Sequence, residues 1–141
     1  MLLDQVITDH SKTHLEQCFS GCELVAELPF FSILAKNAAV PWLLFIPKAG
    51  LDNSSQMLLL YGQMLKLGNA LQARGRGHYN LAKIGNKNPW LHFHLVFRHE
   101  RDGAWPDAIW CHEPLAENPN LTKALIKEIK QLLLDAETPS V

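Results

Sequence analysis

The chain has 141 residues, 48% of them hydrophobic and 19% charged, with a formal net charge of -1. Such a balance is expected to bury a core in a single domain, residues 1–141, and excludes a disordered chain. No long-range positive field exists to recruit a nucleic-acid polymer or an anionic membrane, so an anionic ligand has to be small and held locally.

The first residues, MLLDQVITDHSKTHLEQ, lack the basic start, continuous apolar run and small-residue cleavage site of a signal peptide. No apolar run reaches the roughly 18 to 20 residues that span a bilayer. Three cysteines, Cys18, Cys22 and Cys111, are an odd number for a disulfide framework, and a reducing cytoplasm is the expected location.

In chain order, a first helix is expected over about residues 9 to 18, with Thr8 or Asp9 as N-cap. CELVAEL (22–28) and FFSILAK (30–36) suit two strands broken at Pro29, which lacks the amide donor of a continuous ladder. WLLFIP (42–47) is apolar on both faces, as a strand covered on both sides would be, and Pro47 ends it. The longest helix follows from residue 54. Asn53 or Ser54 can cap it, Leu58, Tyr61, Leu65 and Leu71 form an apolar stripe, and Gly75 offers a left-handed stop. Gly62 and Gly68 would let another helix approach closely, which makes this helix a candidate dimer contact.

HYNLAKI (78–84) and WLHFHLVFR (90–98) read as strands joined by the turn GNKNP (85–89), and a loop containing AWPDAIW comes next. A C-terminal helix over about 119–135 has Asn118 as N-cap, Pro119 at its first position, and Leu121, Leu125, Ile129, Leu132 and Leu133 as its buried stripe. The class is α+β: a mainly antiparallel sheet with one long central helix and an additional C-terminal helix.

Two of the seven histidines, His92 and His94, stand two apart inside a strong strand pattern. Alternation places Trp90, His92, His94 and Val96 on one face, opposite an apolar face of Leu91, Phe93, Leu95 and Phe97. Imidazoles on a rigid strand make a preorganised platform for chemistry. Two solvated polar positions on a half-exposed strand would give the same pattern.

The segment PWLHFHLVFR resembles the signature of the histidine triad family, His-φ-His-φ-His-φ-φ with φ apolar, with Trp90 at the first histidine, His92 at the second and His94 at the third. Gly85 stands seven residues before His92, as the family's phosphate-loop glycine does, and Asn80 falls within a residue of its strand asparagine. PWLLFIPK (41–48) is similar to the family's His-φ-φ-φ-φ-Pro-Lys strand with Trp42 in place of histidine, and Trp105-Pro106 matches a Trp-Pro pair of its nucleoside phosphoramidase branch. The resemblance covers about residues 22–110. The pattern from Gly85 to His94 is similar to a bacterial subgroup with a reduced triad.

The resemblance implies a hydrolase of nucleoside phosphoramidates or related nucleotides, without a cofactor. His92 would attack the α-phosphorus to form a nucleotidyl-imidazole, and a neutral imidazole is a competent nucleophile near pH 7. His94 would hold a phosphate oxygen, and the amides of Gly85, Asn86, Lys87 and Asn88, with the Lys87 ammonium, would balance charge. Trp42 and Trp90 cannot accept a proton, and Lys87 replaces the family's loop serine. Trp90 is expected to line the pocket, and Trp42 to be either core or a stacking surface for a base. Asn37 and Asn80 complete the expected nucleotide contacts. Trp105 is expected to reach a neighbouring subunit of a homodimer.

Two other readings compete. The tryptophans suit a nucleotide-binding module with little or no hydrolysis. Cys18, Cys22, Cys111, His112 and His99 offer ligand types that suit zinc, although free cysteines and no metal are the expectation. The run RHERD (98–102) reads as a solvated turn, with Arg98 expected on the surface, although its length would also let it reach a phosphate.

Overall fold

The computed structural model describes residues 2–137. Helix α1 (Lys12–Cys18) leads into strands β1 (Cys22–Glu27), β2 (Phe31–Lys36) and β3 (Trp42–Pro47). Helix α2 (Ser54–Ala73) then precedes β4 (His78–Ala82) and β5 (Phe93–Arg98), and a 3-10 turn (Ile109–His112) precedes α3 (Pro119–Glu137). The strands form one sheet in the order β1-β2-β3-β5-β4, every pair antiparallel. The class is α+β, as the sequence predicts. No helix among the described residues is long and apolar enough to cross a membrane.

Both faces of the sheet are covered, which explains why β2 and β3 are apolar throughout. Ile33, Ala35, Leu43, Phe45, Leu95 and Phe97 point towards α2 and α3, where Leu60, Met64, Leu71, Leu125 and Ile129 meet them. Leu34, Trp42, Leu44, Ile46 and Val96 point the other way, against Ile7, Leu15, Phe19, Ala104 and Ile109. Each large apolar side chain fully buried in these layers contributes about 1.5–3 kcal/mol.

The helix ends follow their local chemistry. Helix α1 starts later than expected, because Ser11, rather than Thr8 or Asp9, caps it by accepting from the His14 amide at 3.3 Å. Asn53 caps α2 through the Gln56 amide at 3.1 Å, and Gly75 takes a φ of +92° just beyond the helix. Asn118 caps α3 through the Leu121 amide at 3.1 Å.

The buried stripe of α2 differs from the expected one. Leu60, Met64, Leu67 and Leu71 face the sheet, whereas Leu58 and Tyr61 are 73% and 55% exposed. Gly68 makes room for the Tyr79 ring of β4: a Cβ there would lie 3.0 Å from ring carbons.

The histidine strand is shorter than its pattern suggests. β5 begins at Phe93, and the preceding Trp90 pairs instead with Gln5 of the N-terminal arm in an isolated parallel bridge. Arg98 is not a surface residue. Its guanidinium is buried, with Nε and Nη2 donating to the Asp102 carboxylate at 2.8 and 3.1 Å and Nη1 to Asn80 Oδ1 at 3.0 Å. Burial alone would raise the Asp102 carboxyl, but Arg98 and the amides of His99 and Ala104 outweigh it and hold the carboxyl far below the usual range.

Candidate active site

Register brings the site together. Leu34 pairs with Leu44, Leu44 with His94, and Trp42 with Val96, so His94 and Trp42 share one face as diagonal neighbours on adjacent strands. This face is not solvated: His92 and His94 are each 6% exposed. They border a cavity of about 370 Å³, walled by Phe19, Ser20, Cys22, Lys36, Trp42, Leu44, Trp110, Glu113 and the loop Ile84–Asn88.

The hydrogen bonds fix both imidazole tautomers. Nδ1 of His92 lies 2.6 Å from the Trp90 carbonyl, which only accepts, so Nδ1 carries the proton. Nε2 of His92 is left with its lone pair and no hydrogen-bond partner among the described residues. Burial, the largest influence, pushes the His92 pKa down, so the neutral form prevails near pH 7.

His94 is arranged the other way round. The Trp42 indole N–H donates to its Nδ1 at 3.0 Å, and its Nε2 donates to the Ile84 carbonyl at 2.9 Å. Burial, and then the neighbouring His92, push its pKa down to about 4. With both nitrogens engaged, His94 has no N–H to give to a phosphate oxygen. Its ring stands edge-on to His92 at 4.8 Å between centroids, and Trp110 packs against it at 4.9 Å.

The loop before β5 is shaped around His92. A Cβ on Gly85 would sit 3.0 Å from Cε1 and 3.6 Å from Nδ1 of the His92 ring, so any side chain there would have to push the ring back by a few tenths of an ångström. Asn88 ties the loop down twice, donating to the Cys18 carbonyl at 3.0 Å and accepting from the Trp90 amide at 2.9 Å. Phe19, just beyond α1, meets His92 edge-on at 5.1 Å. Lys36 stands 4.1 Å over the Trp42 ring and 3.7 Å from the Glu113 carboxylate, and Lys87 is exposed at the rim. Burial pushes the Cys22 thiol up to about 11, which leaves it a neutral wall.

Of the residues singled out in the sequence, His92, His94, Gly85, Asn86, Lys87 and Asn88 border this cavity and four others do not. Trp90 offers its backbone carbonyl, while its indole packs into the second core. Asn37 binds the segment before α3, accepting from the Asn118 amide at 3.1 Å. Asn80 is occupied by Arg98, and Trp105 is 39% exposed beside that guanidinium. Trp42 borders the cavity but is only 1% exposed, covered by Lys36 and Trp110, so it offers no open face for stacking.

Sequence reasoning missed Lys36, Trp110 and Glu113. Lys36 was within reach, because it alternates onto the face of Leu34; Trp110 and Glu113 arrive through loop geometry that leaves no periodic signal. Among the described residues no group of three or more His, Cys, Asp or Glu side chains is placed to hold a metal ion.

No family model matches the chain, and no curated protein does. Solved structures do. A histidine triad protein from Bradyrhizobium japonicum is 26% identical with a TM-score of 0.71, over 90% of this chain and 98% of that one. One from Marinobacter aquaeolei is 26% identical with a TM-score of 0.68, over 87% and 96%. A third, from Sinorhizobium meliloti, has a TM-score of 0.69 at 21% identity, over 86% and 96%, a likeness of fold alone. The chain therefore folds as the histidine triad proteins do, with His92 and His94 at the edge of its cavity.

Proposed function

We propose that the protein binds a nucleotide in this cavity and cleaves a bond at its α-phosphorus through a covalent nucleotidyl-His92 intermediate. One observation carries the reading: Nδ1–H of His92 is held by the Trp90 carbonyl, Nε2 has no hydrogen-bond partner among the described residues, and the ring borders the same cavity as the Gly85–Asn88 loop. An imidazole held this way is a nucleophile of fixed direction, and its tautomer needs no rearrangement before attack.

For a nucleoside 5′-phosphoramidate the balance is simple. Nε2 forms a bond to phosphorus as the phosphorus–nitrogen bond to the leaving group breaks, and the amine departs with a proton taken from water. A second water adds its oxygen to phosphorus, the bond to Nε2 breaks, and the proton goes to solvent. Lys87, Lys36 and the loop amides are the groups available to balance phosphate charge, because His94 spends its only N–H on Ile84. A homodimer is part of the proposal, with the exposed α2 side chains Leu58 and Tyr61 as candidate contacts.

Incubation with a fluorogenic adenosine or guanosine 5′-phosphoramidate tests the reading. The native protein is expected to release the amine and to gain the mass of one nucleotidyl group on His92. His92→Ala should do neither while still binding nucleotide. Release by the variant at the native rate would remove His92 as nucleophile.

A binding module without turnover is the second reading. It is favoured by Trp42 and Trp90 standing where the related signature has histidine, since an indole cannot transfer a proton. Bound nucleotide without an adduct or product would select it.

A further inference from the structure

We propose that the N-terminal arm is a positioning element of the active site, in which the backbone of Gln5 fixes the peptide whose carbonyl sets the tautomer of His92. This rests on the reading of His92 as the nucleophile. Gln5 bridges Trp90: its N–H donates to the Pro89 carbonyl at 2.9 Å, and its carbonyl accepts from the Leu91 N–H at 2.8 Å. The peptide joining Trp90 to Leu91 is trans and planar, so its N–H and C=O point in opposite directions. Holding the Leu91 N–H against Gln5 therefore aims the Trp90 carbonyl away from the arm, where Nδ1 of His92 meets it at 2.6 Å. The two bonds run through one amide and polarise each other.

No other strand can do this. β4 ends at Ala82 and β5 begins at Phe93, so Trp90 and Leu91 lie outside the sheet ladder, and Gln5 is their strand partner among the described residues. A second, side-chain anchor lies next to the residue that orients His94. The Asp4 carboxylate pairs with Lys83 at 2.9 Å, next to Ile84, whose carbonyl accepts from His94 Nε2. The arm thus grips the chain one residue away from each carbonyl that orients an imidazole. It is itself pinned by buried Ile7 and by buried His10, whose Nδ1 meets Ser32 Oγ at 2.8 Å.

Nitrogen-15 NMR of the imidazoles in the full chain reads the tautomer directly. Gln5→Pro removes the N–H bonded to Pro89 and disfavours the Asp4 backbone (φ +58°) that precedes it, so the arm should leave Trp90 and His92 is expected to populate both neutral tautomers. Turnover of the phosphoramidate should fall roughly tenfold to a hundredfold, as when an orienting partner is lost. Leu2→Pro keeps the Leu2 carbonyl that accepts from the Gln5 side chain at 2.8 Å, and is expected to keep the proton on Nδ1. A folded Gln5→Pro protein whose His92 tautomer and turnover match the native chain overturns the proposal.

If Gln5→Pro does not fold, Asp4→Ala tests the second anchor. Broadened or shifted His94 ring signals support the role of the arm, and unmoved ones overturn it. A native protein with neither turnover nor adduct would defeat the nucleophile reading instead, and the tautomer measurement would still decide what the arm does.

Discussion

The indole of Trp42 donates its N–H to Nδ1 of His94 across two adjacent strands, at 3.0 Å, and both groups are buried. An indole N–H is a donor only, so this contact forces His94 to accept there and to carry its proton on Nε2. Trp42 is thus core, as one sequence reading has it, and no platform for a base; it also holds the tautomer of its neighbour.

Trp42→Phe should leave the Nδ1 acceptor buried without a donor. The expected cost is about 1–3 kcal/mol of stability, together with a rise in the His94 pKa, since the lost bond favoured the neutral ring. Urea unfolding and an NMR titration of His94 measure both; an unmoved titration would refute the coupling.

Gly85→Ala places a methyl group against the ring of His92 and should displace the nucleophile by a few tenths of an ångström. We expect adduct formation with the phosphoramidate to slow by on the order of tenfold or more, with the thermal midpoint little changed. Full-rate adduct formation would show that the loop yields instead.

The folded-state pKa of His94 is depressed from 6.5 to about 4, so folding favours its neutral form. That contribution is fully present above pH 6.5 and is lost as pH falls towards 4, because the unfolded chain binds the proton first. It amounts to on the order of 2–3 kcal/mol. The difference in stability between the native protein and His94→Gln, followed from pH 7 to 4, should shrink by about that much. For His92, whose pKa is also lowered by burial, the acid limb of turnover should lie below pH 6.5.

Asp102→Ala would leave the Arg98 cation buried with Asn80 as its remaining side-chain hydrogen-bond partner. A loss of about 3–5 kcal/mol is expected, far more than a surface ion pair would give. Chemical denaturation measures it, and a loss under 1 kcal/mol would place Arg98 back at the surface.

Much of this was legible in the sequence because it is local. WLLFIP reads as a doubly covered strand and is one, and the Asn118-Pro119 entry to α3 follows from capping alone. The missed features are long-range. Helix α2 carries two overlapping apolar stripes, and only the sheet decides that Leu60 and Met64, not Leu58 and Tyr61, are buried. Arg98 reads as solvated until Asp102 folds back on it, and nothing near Trp90 announces that Gln5 will pair with it.

Strand β5 lies between β3 and β4, so the backbone that carries His94 is bonded on both sides, while His92 stands just before the strand. The amides of β5 should exchange with deuterated solvent only on global unfolding, whereas residues 85–87, outside any ladder, open locally. A ligand would therefore meet a His94 fixed by the sheet and a His92 held by the Trp90 carbonyl. Most of the ordering entropy of binding would fall on the short loop facing them, and protection of that loop against exchange would report occupancy without any turnover.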